Sequence, residues 1–274
     1  MSPSNGKIGE YDAATGTTIN SSFISGVFSS YGLALSGNNL YVANGNTIGE
    51  YNAITGTAIN SSLITGLNQT RGLALLGNNL FVANIGNGTI GEYDATTGAT
   101  INSSFISGLG NPLSLAISGN NLFVANYVDQ TIGKYDATTG SAIHASFITG
   151  LSGPFGLALS GNNLFVSIAG DYGNGVIGEY NATTGSAINT NLITSLTWPE
   201  GLAVSGNSLY VADLFGNSVR EYNAVTGAAI NTNLVAGLIN PSALVIQSVP
   251  EPSTYILLGL GALVLLIAYR RKKA

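Results

Sequence analysis

The chain has 274 residues, enough for one large or two ordinary domains, and 45% of them are apolar, enough to bury a core. Only 8% are charged; the stretch before Pro250 holds 4 basic and 12 acidic residues, a net of −8, which does not suit nucleic acid and would be repelled by anionic lipid. There is no cysteine, so disulfides, Fe–S clusters, thiolate metal sites and cysteine nucleophiles are excluded.

The first residues, "MSPSNGKIGEYDAATG", lack the basic start and apolar stretch of a secretory signal. They open instead on a line that recurs through the body. Its clearest copy is "IGEYNAITGTAINSSLITGL" followed by "GLALLGNNLFVAN". The line restarts at Ile8, Ile48, Ile90, Ile132, Ile177 and Val219, at spacings of 40, 42, 42, 45 and 42. Periods of about 40–50 residues with several short strands per unit point to a propeller, ahead of a β-sandwich or β-solenoid of similar composition. Each unit reads as four strands. "GLAL" is a short apolar strand and "SGNN" a tight turn. "LYVAN" or "LFVAN" is a second strand rich in aromatic and β-branched residues, and "TIGEY" a third. "NAITG" or "DATTG" turns the chain on a left-handed Gly, and "TAINSSLIT" is a polar outer strand. No helical period occurs in residues 1–248.

Counting strands predicts an all-β, six-bladed β-propeller over residues 1–248, with five complete blades and a sixth closed by both ends of the chain. In that blade Ala243 to Ile246 would pair with Ile8 to Asp12 and Thr17 to Ile24, removing open edges. Its second strand is absent. Either the blade is naturally three-stranded, or the strand lies upstream of Met1 together with a signal peptide. The line "GLAL…GNNLYVAN…TIGEY" resembles that of NHL-like and gluconolactonase-like propellers over about residues 8–248; the resemblance carries architecture, since activity on a propeller lives in its loops.

Little in the ring reads as catalytic. His144, the only histidine, replaces Asn on an outer strand and is expected in solvent. Gluconolactonase-like enzymes hold a divalent metal in the central channel, but Glu200 is the sole carboxylate at the entrance of an inner strand, and one carboxylate does not build a hard-cation site. Glu10, Glu50, Glu92, Glu179 and Glu221 recur in the third strand, with Lys134 at the same place in the fourth copy; a site that accepts reversed charge is expected to be solvated. No cofactor, metal or catalytic residue is assigned. The informative residues break the repeat in loops that share one face: Tyr31, Arg71, Phe155, Trp198 and Glu200 in one set, and Tyr127, Asp129, Asp171, Tyr172, Asp213 and Phe215 in the other. Arg71 and Glu200 precede blades three apart and should face each other across the channel mouth. Aromatics with a few charges suit a sugar or peptide ligand.

The tail, residues 249–274, differs from everything before it. Pro250, Glu251 and Pro252 precede an uncharged run of 16 residues, Thr254 to Tyr269, and then Arg270, Arg271, Lys272 and Lys273. A helix of that run spans roughly 24 Å and is expected to cross a thin membrane, with the basic cluster on the cytoplasmic side as stop and anchor. Motif, apolar run and basic cluster, in this order, resemble the PEP-CTERM sorting signal of Gram-negative bacteria. The resemblance implies an exosortase-type membrane transpeptidase as partner, and a single-pass inner-membrane state before processing to the cell surface or outside. The expected role is a non-enzymatic binding module for an extracellular polysaccharide or surface protein, with no nucleic-acid partner. The alternative is a hydrolase or lyase with a metal in the channel.

Overall fold

The computed structural model describes residues 6–170, 174–248, 257–258 and 263–268. Five four-stranded antiparallel sheets follow one another along the chain. Blade 1 is β3 (Ser30–Ser36), β4 (Asn39–Asn44), β5 (Thr47–Asn52) and β6 (Ala58–Ile64). Blade 2 is β7 (Thr70–Leu76), β8 (Asn79–Asn84), β9 (Thr89–Asp94) and β10 (Thr100–Ile106). Blade 3 is β11 (Pro112–Ser118), β12 (Asn121–Asn126), β13 (Thr131–Asp136) and β14 (Ala142–Ile148). Blade 4 is β15 (Pro154–Ser160), β16 (Asn163–Ile168), β17 (Gly175–Asn181) and β18 (Ala187–Leu196). Blade 5 is β19 (Pro199–Ser205), β20 (Ser208–Asp213), β21 (Ser218–Asn223) and β22 (Ala229–Ala236).

The propeller therefore has five blades, and the expectation of six is corrected. The chain ends build a sheet of another kind from β1 (Lys7–Asp12), β2 (Thr18–Ser25), β23 (Ile246–Ser248), β24 (Leu257–Leu258) and β25 (Leu263–Ala268), in the order β2-β1-β24-β25-β23. Strand β25 runs parallel to both β1 and β23, whereas every pairing inside the blades is antiparallel. The expected direct pairing of Ala243–Ile246 with the first strands is replaced by β24 and β25 lying between them. A repeat count measures sequence copies; a blade needs four strands in one meander, and the first and last copies do not supply them.

The predicted membrane helix is corrected as well. Where the apolar run is described it forms strands β24 and β25, and no helix among the described residues is long and apolar enough to cross a membrane. The one helical turn among them is the 3-10 turn Ile85–Asn87. Residues Pro250, Glu251, Pro252 and Arg270–Lys273 lie outside the described residues.

Alternation in the strands places the core between blades. Phe81, Ala83 and Ile90 of blade 2 pack with Leu115, Leu122 and Val124 of blade 3, and the other blades repeat the arrangement. A further cluster joins Tyr210 and Val219 of blade 5, Ile8, Tyr11 and Leu244 of the terminal segments, and Leu33 and Leu40 of blade 1. The turn after each third strand sits on its neighbour. A Cβ on Gly98, at φ 72°, would lie 2.0 Å from the Leu63 carbonyl oxygen of blade 1, so the turn needs both the left-handed conformation and the missing side chain. The free edge of the outer strand is bulged. In blade 1 the pairing jumps between Ile48↔Ile64 and Glu50↔Asn60, and Asn60 Oδ1 accepts a hydrogen bond from Ser62 N at 3.1 Å. Such bulges blunt an edge that carries no charge.

The recurrent glutamates are not solvated. Glu10, Glu50, Glu92, Glu179, Glu221 and Lys134 are all buried, because the third strand is covered by adjoining elements. Glu92 accepts from Asn79 Nδ2 at 2.6 Å and Glu221 from Ser208 Oγ at 2.7 Å. Lys134 donates to the Ala182 carbonyl of the next blade at 3.1 Å. Reversed charge is tolerated in the fourth copy because Lys134 finds its own partner, a backbone carbonyl of the next blade. Burial raises the carboxyls of Glu50, Glu92 and Glu179, and lifts Glu10 to about 7. His144 is exposed on β14 as expected, 6.1 Å from the Phe147 ring.

Candidate functional site at the channel mouth

The first strands β3, β7, β11, β15 and β19 line a central cavity of about 360 Å³, completed by Ser242–Ile246. Small residues, Gly32, Gly72, Gly156 and Gly201, let these strands approach one another. The residue just before each is the variable one. In chain order the six equivalent positions are Tyr31, Arg71, Leu113, Phe155, Glu200 and Ser242, and all six line the cavity. Several are delivered by a left-handed residue two places earlier: Ser29 at φ 61°, Gln69 at 54°, Asn111 at 54° and Asn240 at 50°. The otherwise uniform repeat thus presents a ring of six different side chains at one height.

Arg71 and Glu200 meet across this ring, as the repeat count predicts. Arg71 Nη1 is 3.9 Å from Glu200 Oε2, and the guanidinium lies 3.8 Å over the Tyr31 ring. Glu200 is buried; desolvation pushes its carboxyl up to about 7, opposed by the Arg71 charge and by a hydrogen bond from the Trp198 side chain. Among the described residues these are the only charged side chains lining the cavity.

Aromatic residues extend the ring outward. Phe155 packs edge-on to Tyr127 at 5.1 Å and to Trp198 at 5.8 Å, and Trp198 lies 5.5 Å from Phe215, which is 42% exposed. Tyr127 and Phe215 come from loops after second strands, Phe155 and Trp198 from segments entering first strands. The two loop sets are stitched by backbone bonds such as Leu214 N to Trp198 O at 2.9 Å.

Other residues selected from the sequence do different work. Asp213 is fully buried; it accepts from Trp198 N at 2.8 Å and Thr197 N at 3.1 Å and pairs with Arg220 at 2.9 Å. It fastens the Trp198 loop and offers nothing to a ligand. Asp129 accepts from Gly110 N at 2.8 Å, another loop clasp. Asp171 and Tyr172 lie outside the described residues. Sequence reasoning missed Arg220, Leu113 and Ser242. Arg220 stands where the other five third strands have Gly (Gly9, Gly49, Gly91, Gly133 and Gly178), and that break was a usable signal. Leu113 and Ser242 are visible only once the five first strands and the segment Ser242–Ile246 are aligned with one another.

A divalent metal of the gluconolactonase kind does not fit these residues. Among the described residues Glu200 is the single carboxylate in the lining, and no group of three or more His, Cys, Asp or Glu could hold an ion.

Comparison with known proteins adds three findings. Residues 248–272 match the PEP-CTERM protein-sorting motif, and residues 200–218 match the LVIVD repeat. Among solved structures, the nidogen/laminin complex contains a chain with a TM-score of 0.67 at 18% identity, covering 84% of this chain and 91% of that one. A gluconolactonase from Xanthomonas campestris gives 0.69 at 16% identity, covering 85% and 83%, and the computationally designed protein Ika8 gives 0.51 at 15%, covering 86% and 94%. Identities this low show the fold alone. No curated protein matches the sequence. The sorting motif implies export and processing by an exosortase, a membrane enzyme. Motif, repeat and fold together identify the chain as a β-propeller protein that carries a C-terminal PEP-CTERM sorting motif.

Proposed function

We propose that this exported propeller is a non-enzymatic binding module of the cell surface or extracellular matrix, with its ligand seated at the channel mouth. One observation carries the reading. Six equivalent positions of a repeat that is otherwise nearly invariant hold Tyr31, Arg71, Leu113, Phe155, Glu200 and Ser242, and converge on one cavity. A fold needs apolar or small residues there; it does not need a guanidinium and a buried carboxyl facing each other. A cavity of about 360 Å³ is at the small end of ligand pockets, which run from about 300 to 1,000 Å³. The body is delivered by the sorting motif, with Pro250, Glu251 and Pro252 read by the exosortase and residues 249–274 separated from the propeller of residues 1–248.

The test is retention of the full chain on immobilised extracellular polysaccharide and surface-protein fractions of its native host. Wild type is expected to be retained, and the Arg71→Ala/Glu200→Gln double variant to elute early. Equal elution of both, or no retention of either, removes the binding reading. The intact mass of the exported form tests the sorting half: a C-terminus near Pro250–Pro252 is expected, and a form that still ends at Ala274 refutes processing.

A further inference from the structure

The ring of six side chains restricts the chemistry of its occupant. Arg71 and Glu200 supply one positive and one negative group on opposite sides of the mouth, 3.9 Å apart, too long for a hydrogen bond between them. The guanidinium presents several donors in one plane, fixed over Tyr31, and the carboxylate is acceptor-only when ionised. Ser242 follows Glu200 in the ring and lines the cavity; its hydroxyl is buried and makes no hydrogen bond with any described residue. An orphaned buried hydroxyl on a residue of the cavity wall points to a ligand group that completes it once a turn about χ1 brings it to the cavity. Tyr31, Phe155 and Leu113 supply apolar walls, and the aromatic arc Tyr127–Phe155–Trp198–Phe215 leads outward from Phe155.

Charge decides among small polar ligands. An anion would gain Arg71 but meet the Glu200 carboxylate and a body of net −8; a cation would gain Glu200 and meet Arg71. A neutral molecule with adjacent hydroxyls satisfies both: one hydroxyl accepts from the guanidinium, its neighbour donates to the carboxylate, and neither charge is left uncompensated. Carbon-bound hydrogens on such a molecule suit aromatic walls. We infer that the channel mouth is a subsite for the terminal unit of a neutral oligosaccharide, held by Arg71, Glu200 and Ser242, with the following units running over Trp198 and Phe215.

This inference rests on the binding-module reading, and the experiment separates the two. Trp198 is the only tryptophan and lies beside Glu200, so its emission reports occupancy of the full chain. The probes are cellotriose, mannotriose and galactotriose as neutral trisaccharides, and trigalacturonate as the acidic counterpart. At least one neutral trisaccharide is expected to give a saturable change, weakened about tenfold or more in Arg71→Ala and in Glu200→Gln, the latter keeping the shape of the site. Ser242→Ala, which alters no packing partner's charge, is expected to weaken it severalfold while leaving the melting temperature in place. Preferential binding of trigalacturonate, abolished in Arg71→Ala, overturns the neutral-sugar inference and leaves the binding site standing. Saturable binding of a neutral sugar that none of the three variants alters also overturns it. No saturable change with any of the four probes overturns the inference, and retention on the host fractions then decides the broader reading by itself.

Discussion

Replacing Glu200 with Gln should remove a pH dependence that is written into the channel. The Glu200 carboxyl stands at about 7 in the folded protein, against 4.5 as its ordinary value, chiefly because it is desolvated. A carboxyl raised on folding is neutral in both states below about 4.5 and ionised in both above about 7. Its contribution to stability is therefore fully present at low pH and lost as pH rises through that window. Moving a carboxyl from 4.5 to about 7 corresponds to about 3 kcal/mol. Gln cannot ionise, so Glu200→Gln should gain about 3 kcal/mol on wild type between pH 4 and pH 8, or roughly 6–12 °C in melting temperature for a body of this size. The comparison is between the two proteins at each pH, because Glu10 and the other buried glutamates add their own slope to both. Any fixed cost of leaving Arg71 without its partner cancels in the same comparison. Urea unfolding followed by circular dichroism at several pH values gives the number. The emission of Trp198 in the folded wild type should titrate near pH 7. Identical pH dependence in both proteins, or a Trp198 transition near pH 4.5, would refute the reasoning.

Three further outcomes follow from the same geometry. Arg71→Met removes the charge that holds the Glu200 carboxyl down, so the Trp198 transition should move above pH 7; no movement would mean that the pair is uncoupled in solution. Gly32→Ala and Gly156→Ala each place a Cβ 1.9 Å from a neighbouring backbone oxygen, of Arg71 and of Glu200, and should cost about 3 kcal/mol each by chemical denaturation; a cost near zero would show that the inner strands spread freely. Asp213→Ala loses two backbone hydrogen bonds and the Arg220 pair from a buried site and should cost about 3 kcal/mol, and adding Arg220→Gly, the residue most third strands carry there, should recover part of it. A double-mutant cycle that shows no coupling between the two positions would refute the clasp.

Strand order within a blade was legible because it depends on local features. The alternation of "LFVAN" and "TIGEY", the two-residue loop in "SGNN" and the glycine after "DATT" act over a few residues, and each appears in the fold where the repeat places it. The opposition of Arg71 and Glu200 was also legible, since it follows from counting units around a ring. The recurrent glutamates were misjudged because their exposure is not a property of their own strand. Glu50 lies in a sheet whose face is covered by elements about 40 residues away, and tolerance of Lys134 reflects a carbonyl of the next blade. Asp213 looked like a rim charge, yet the folding back of Thr197 and Trp198 buries it completely.

By itself the sequence determined an all-β repeat body, the turns between its strands, the variable position ahead of each inner strand and the sorting motif at its end. These are patterns of short range, set by the two-residue period of a strand and by turn chemistry. Only the tertiary structure decided the number of blades, the mixed sheet built from the two ends, and which charged groups are buried. Those depend on which distant segments come to lie side by side, and the free energy of a carboxylate is set by the neighbours that displace its water.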